Sequence, residues 1–286
     1  FNQLSKLIHR LRDQNINVIL FLHSTIDPPY QPSKCLLTLS SALERCNSIF
    51  VHSISDLNRM KKIGLVNNVS IFPHGIIEFS LQVNNSPQIH QKSLNDKSLT
   101  IASFGFCLPQ KGFFELIRAV DLLKKRSFNV ILNIYSAIYS DDYAWVYEQM
   151  LELIKELEIE DLVNINPKYL PENDVLNLLS CHDLIVYPYQ SSNESSSAAV
   201  RQGLATSRPV LVSPLDIFDD ISDLVDYLPG CSSSDIANGI VDWYKENVHN
   251  SKLDCSDRVE GINKLRFSIL GSRLSSIIKS NEINNN

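Results

Sequence analysis

The chain has 286 residues, 44% of them hydrophobic, enough for one large core or two ordinary ones, so disorder is excluded as the default. A formal charge of −6 works against a nucleic-acid footprint, which needs a basic face. The six cysteines form no C-x-x-C and pair with no histidine at metal-ligand spacing, which argues against a zinc site and fits free thiols in a reducing cytosol.

No run of about 18 apolar residues exists for a membrane span, and no charged segment precedes an apolar one as in a secretion signal. The chain opens on Phe1 inside a helical pattern (Phe1, Leu4, Leu7, Ile8, Leu11), which reads as a fragment lacking its true N-terminus. That helix is expected to end near Asp13. A continuous apolar strand, Ile16 to Leu22, follows and delivers His23 at its carboxyl end. After a loop with three prolines, Cys35–Cys46 reads as a helix, Ser48–Val51 as a strand, Ser55–Ile63 as a helix and Val69–Phe72 as a strand. From His74 to Ser98 the composition turns to Asn, Gln, Ser and Lys, as in a connection between domains.

A second alternating series begins with strand Leu99–Phe104, the loop G-F-C-L-P-Q and helix Lys111–Lys125. It continues as strand Asn129–Tyr135, helix Asp142–Leu157, strand Leu162–Ile165, helix Glu172–Leu179, strand Leu184–Tyr187, helix Ser196–Thr206 and strand Val210–Val212. A helix near Asp235–Glu246, another within Asp257–Ile278 and a frayed tail from Asn281 complete it. Strands alternating with helices imply mostly parallel sheets covered on both faces.

The loops after two of these strands carry the chemistry. In the run Gly105–Phe113, Lys111 stands at a helix N-terminus, where a cation opposes the helix dipole unless it shares an anion with it. After the strand Leu184–Tyr187, Glu194 precedes Ser195, Ser196 and Ser197; capping needs one hydroxyl, and three small residues in succession keep backbone amides open to a ligand. Both loops fall at the carboxyl ends of strands, where open α/β sheets bind polar or phosphorylated guests. Taken singly, Lys111 and Glu194 read better as solvated surface charges; both motifs on one sheet edge turn the reading towards a phosphate-binding role. Arg201, one turn inside the helix, serves an anion or a local ion pair alike. His23 faces a proline-rich loop where a cleft would open, whereas His52 and His74 read as core or hinge residues. The loop around Tyr169 and Leu170 offers backbone groups to a flat ring, or is a plain connection.

In this order and spacing, the G-x5-K-G turn, the D-L-x-V-x-P-Y strand, the acid before small residues and the R-P-V-L-V-S-P strand resemble the nucleotide-sugar-binding half of the family-4 (group 1) retaining glycosyltransferases. The resemblance covers roughly Ile16 to Ile278, with His23, V-H-S and F-P-H-G matching the close of that family's first domain. It implies an α/β, GT-B fold of two Rossmann-like domains with parallel sheets, the first incomplete. The boundaries would be 1–75 for the acceptor-side domain, 76–98 for a linker, 99–262 for the donor domain, 263–280 for a C-terminal helix and 281–286 for a disordered tail.

The resemblance also implies roles. Lys111, with Gly105 and Gly112, would hold the donor diphosphate; Glu194 would bond a hydroxyl of the donor sugar; the amides of Ser195, Ser196 and Ser197 would brace that sugar. His23 would contact it from the other domain, and Tyr169, Leu170 and Arg201 would line the donor site. Gln202 stands where the family has a ribose-binding acid, and Phe106 where a base usually follows the first glycine. The substrates implied are a nucleotide-diphosphate sugar and a glycan or lipid-linked acceptor, with no metal and no further cofactor. A cytoplasmic setting follows, compatible with association at the inner face of a membrane. A sugar-nucleotide epimerase, a phosphorylase or a non-catalytic sugar-nucleotide binder uses the same cleft and stays open. A nicotinamide-dependent enzyme is disfavoured, because no G-x-G-x-x-G follows a strand.

Overall fold

The computed structural model describes residues 1–80, 98–248 and 256–283. They fall into two compact units: 1–74 together with 193–197 and 216–220, and 75–192 together with 198–215 and 221–286, the undescribed stretches aside.

In the first unit, helix α1 (Asn2–Asp13), strand β1 (Ile19–Leu22), helix α2 (Ser40–Glu44), strand β2 (Ser48–Val51), helix α3 (Ile54–Lys62) and strand β3 (Val69–Ile71) follow in order. The sheet is parallel, β1-β2-β3, with Leu22 opposite Val51 and Val51 opposite Ile71. Ile8, Leu39, Leu43, Ile49, Val51, Met60 and Leu65 pack between the helices and the sheet. Helix α3 begins at a full capping box, Ser53 and Asp56 each bonding the other's backbone amide. The helix expected over Cys35–Cys46 is a correction: the chain makes 3-10 turns at Pro32–Lys34 and Leu36–Leu39 before the short α2. Cys35 is extended, and Asp27 accepts a hydrogen bond from the amide of Leu36, so side-chain capping wins over helix propagation there.

The second unit contains strand β4 (Leu99–Phe104), helix α4 (Phe113–Lys125), strand β5 (Val130–Tyr135), helix α5 (Ala144–Glu156), strand β6 (Val163–Asn166), helix α6 (Glu172–Ser180), strand β7 (Leu184–Tyr187), helix α7 (Ala198–Ala205), strand β8 (Val210–Val212), strand β9 (Asp226–Tyr227) and helices α8 (Ser233–Val248), α9 (Ser256–Lys264) and α10 (Phe267–Ile283). All six strands are parallel, in the order β6-β5-β4-β7-β8-β9. Numbered within the unit this is 3-2-1-4-5-6, the doubly wound order, whose switch point lies between β4 and β7. Every residue of β7 is buried, as a continuous apolar run in a doubly covered sheet requires. Strand β5 alternates instead, with Val130, Leu132 and Ile134 in the main core.

Two expectations at the C-terminus are corrected. The single helix read within Asp257–Ile278 is two, broken at Leu265–Arg266, where Ile76 gives its amide to Leu265 and accepts from Phe267. Helix α10 runs through Asn281 to Ile283, so the frayed tail does not begin at Asn281; 284–286 lie outside the described residues. Most of the stretch read as a connection, 81–97, also lies outside them. Among the described residues no helix is long and apolar enough to cross a membrane.

Candidate functional site

At the switch point of the second unit, the chain leaves β4 through Gly105 (φ +151°) and Gly112 (φ +75°), both in backbone regions that disfavour side chains. A Cβ on Gly112 would lie 1.8 Å from the carbonyl oxygen of Pro188, so glycine there lets the turn after β4 press directly on the segment after β7. The amide of Gln190 donates to the carbonyl of Gln110 (2.9 Å), and Gln190 Nε2 donates to the carbonyls of Pro188 and Cys231 (2.9 Å each). Lys111 ends a 3-10 turn, Pro109–Lys111, and helix α4 starts only at Phe113 with no side chain capping it. The expectation that Lys111 opens the helix is therefore corrected: left-handed Gly112 separates them.

The turn places Lys111 Nζ 3.9 Å from the centroid of the Tyr189 ring, a cation–π contact on a fully buried aromatic. Tyr189 itself stands edge-on to Tyr187, whose hydroxyl donates to the carbonyl of Ala199 on α7. Gly203 of α7 packs where a Cβ would lie 2.8 Å from that same hydroxyl oxygen. Helix, strand and lysine turn are thus stacked through two tyrosines. Phe106 is exposed and meets Tyr139 edge-on at 5.2 Å.

The remaining residues of this unit are placed as follows. Arg201 is buried on α7, and Gln202 beside it donates from Nε2 to Glu172 Oε1 at 3.4 Å. Gln202 Oε1 is buried with no hydrogen-bond partner. Tyr169, 78% exposed, and half-buried Leu170 lie in the loop between β6 and α6.

In the first unit, the register of the sheet sets the next residues side by side. His23 follows Leu22, His52 follows Val51 and Phe72 follows Ile71, so two histidines meet at the carboxyl edge and His74 closes over them. The ring centroids are 4.9 Å apart for His23 and His52, 5.7 Å for His23 and His74, and 5.3 Å for His52 and His74. His52 is buried; His23 is exposed.

Residues 193–197, the acid-bearing loop after β7, belong to this first unit. The amide of Ser195 donates to the carbonyl of His23 (3.1 Å), Ser24 Oγ to the carbonyl of Asn193 (2.7 Å) and Ser195 Oγ to Asp56 Oδ1 (2.8 Å). Glu194 sits exposed between these anchors, and so the structure brings it to the same strand end as His23. The expectation of three open serine amides is corrected at Ser195, whose amide and hydroxyl are both engaged. Helix α7 correspondingly starts at Ala198 rather than Ser196. Ser197 is buried, while Ser196 Oγ is buried with no hydrogen-bond partner.

Asp56 is the hub that the sequence did not reveal. Fully buried, it accepts from Ser53 Oγ (2.6 Å), Thr25 Oγ1, Arg59 (2.7 Å) and Ser195 Oγ. Burial alone would raise its carboxyl; the hydrogen bonds from Ser53, Thr25, Arg59 and Ser195 outweigh that and hold it below the usual range. Its capping-box position was legible in S-I-S-D, but two of its partners, Thr25 and Ser195, lie on loops whose approach no local pattern encodes.

No protein-family model matches the sequence, and no curated protein matches it. Solved structures do. The chain is similar to Anabaena Alr3699/HepE in complex with UDP (TM-score 0.78, 14% identity, 97% of this chain and 76% of that one). It is similar to an α,α-trehalose-phosphate synthase (UDP-forming) from Burkholderia vietnamiensis (TM-score 0.78, 10% identity, 100% and 72%). It is also similar to a sucrose-phosphate synthase from Thermosynechococcus elongatus (TM-score 0.71, 14% identity, 96% and 71%). With the sheets described above, these likenesses show an α/β, GT-B fold with Rossmann-like parallel sheets.

Proposed function

We propose that this chain moves a sugar from a nucleotide-diphosphate donor to an acceptor, as a retaining glycosyltransferase of the family-4 type. The observation that carries the reading is the turn Gly105–Gly112 at the sheet's switch point, with the Lys111 ammonium over the Tyr189 ring. Its support from outside the chain is that structural neighbours include complexes with UDP and with UDP-glucose.

In this reading Lys111 and the uncapped N-terminus of α4 neutralise the diphosphate. Charge accumulates there as the glycosidic bond lengthens, so donors held in place beforehand stabilise the transition state more than the ground state. Glu194 accepts a hydrogen bond from a sugar hydroxyl. Ser196, with its unpartnered hydroxyl, takes the bracing role that Ser195 gives up, and Gln202 Oε1 accepts from a ribose hydroxyl in place of the family's acid. Retention is accounted for by the departing phosphate accepting the acceptor's proton on the face it leaves.

Lys111→Ala is expected to weaken UDP binding and slow donor consumption roughly ten- to hundredfold, the loss of a hydrogen bond to a charged group, with the thermal transition unchanged. Calorimetry with UDP and a coupled assay for UDP release from UDP-glucose measure the two effects; near-normal turnover by the variant rules the reading out. Phe106, an aromatic in place of the family's base, favours a second reading as a non-catalytic binder, which predicts UDP binding without release of UDP from any UDP-sugar.

A further inference from the structure

We propose that His52 is a positioning residue that fixes the tautomer of His23, so that His23 presents a bare Nε2 as hydrogen-bond acceptor to a hydroxyl of the bound guest. The role given to that guest, the donor sugar, rests on the transferase reading; the tautomer does not.

The proton count follows from the partners. His52 Nδ1 lies 3.0 Å from the carbonyl oxygen of Phe72, and a carbonyl only accepts, so the proton is on His52 Nδ1. His52 is 3% exposed, and a neutral ring that donates from Nδ1 carries a lone pair on Nε2. That lone pair is 3.0 Å from His23 Nδ1, so His23 donates from Nδ1. A neutral ring has one N–H, and His23 Nε2 is then an acceptor. Each link is set by the one before, beginning at a backbone group that cannot change role.

The surroundings hold this arrangement in place. The ring of His74 stands at 76° to His23 and 84° to His52, and the His23 backbone is tied by the amide of Ser195. Among the described residues no group of three or more His, Cys, Asp or Glu side chains is placed to hold a metal ion. The second ring nitrogen of His52 also needs a partner when buried, and it is aimed at His23, whose ring is exposed.

The test reads the tautomer directly. Long-range 1H–15N spectra of the histidine rings at mildly alkaline pH are expected to show His23 protonated on Nδ1 in the wild-type chain; a His23 ring protonated on Nε2 overturns the proposal. In His52→Leu, His23 is expected to lose the Nδ1–H signature and UDP-glucose to bind about three- to tenfold more weakly, while UDP, which carries no sugar, binds as before. His52→Gln, which offers an amide oxygen to His23, is expected to restore both signals. Unchanged His23 spectra in His52→Leu overturn the proposal, as does an equal loss for UDP and UDP-glucose. If His52→Leu does not fold, the wild-type spectrum and the glutamine variant still decide. A wild-type Nδ1–H signature without any UDP-glucose binding would remove the transferase reading and leave the tautomer assignment standing.

Discussion

Asp56 shows how much a single carboxylate can organise at the residue scale. Its lowered pKa ties stability to pH with a definite sign: the contribution is complete above the unfolded carboxylate value of about 3.9 and is lost as pH falls through the lower folded value. Asp56→Ala, which leaves the hydroxyls of Thr25, Ser53 and Ser195 without their acceptor, is expected to cost ~2 kcal/mol at neutral pH. Urea unfolding from pH 7 downward checks this. The gap between wild type and variant should hold to about pH 4 and narrow below it, and a gap that widens in acid contradicts the assignment. The placement of Lys111, Glu194 and His23 beyond the carboxyl ends of strands was legible, because the apolar runs before them mark those strands. Asp56, Tyr189 and the His52 relay were not, since each matters through partners tens of residues away.

At the scale of elements, the strands Ser48–Val51, Leu99–Phe104, Leu184–Tyr187 and Val210–Val212 have the limits that their apolar runs indicate, because burial on both faces leaves little else to decide. Helix starts proved harder. Cys35–Cys46 breaks where Asp27 reaches back to Leu36, and α4 is delayed to Phe113 by left-handed Gly112. That glycine joins a 3-10 turn to a helix while touching the backbone of Pro188, so Gly112→Ala combines an unfavourable φ with a clash against main chain. A loss of ~2 kcal/mol or more is expected, seen as a lower thermal transition by several degrees. An alanine variant as stable as wild type would mean that the turn does not hold this conformation.

For the whole molecule, binding to the folded state must appear as stability. If the proposed donor site is right, UDP at a hundred times its Kd is expected to stabilise the chain by about 2.7 kcal/mol, and uridine at the same concentration by much less, since in that reading only the diphosphate meets Lys111 and the α4 N-terminus. Differential scanning measures both; equal shifts for the two ligands would remove the diphosphate from the account. The sequence by itself determined the alternation of strands and helices, the parallel character of the sheets and the loops that carry Lys111, Glu194 and His23, because hydrophobic periodicity and turn chemistry act over a few residues. Only the tertiary structure decided the 3-2-1-4-5-6 order, the seating of residues 193–197 with the first unit, and the contacts that join the Phe72 carbonyl, His52 and His23. Those depend on which strands lie side by side and in what register, a choice made by packing across the fold and written in no local stretch of it.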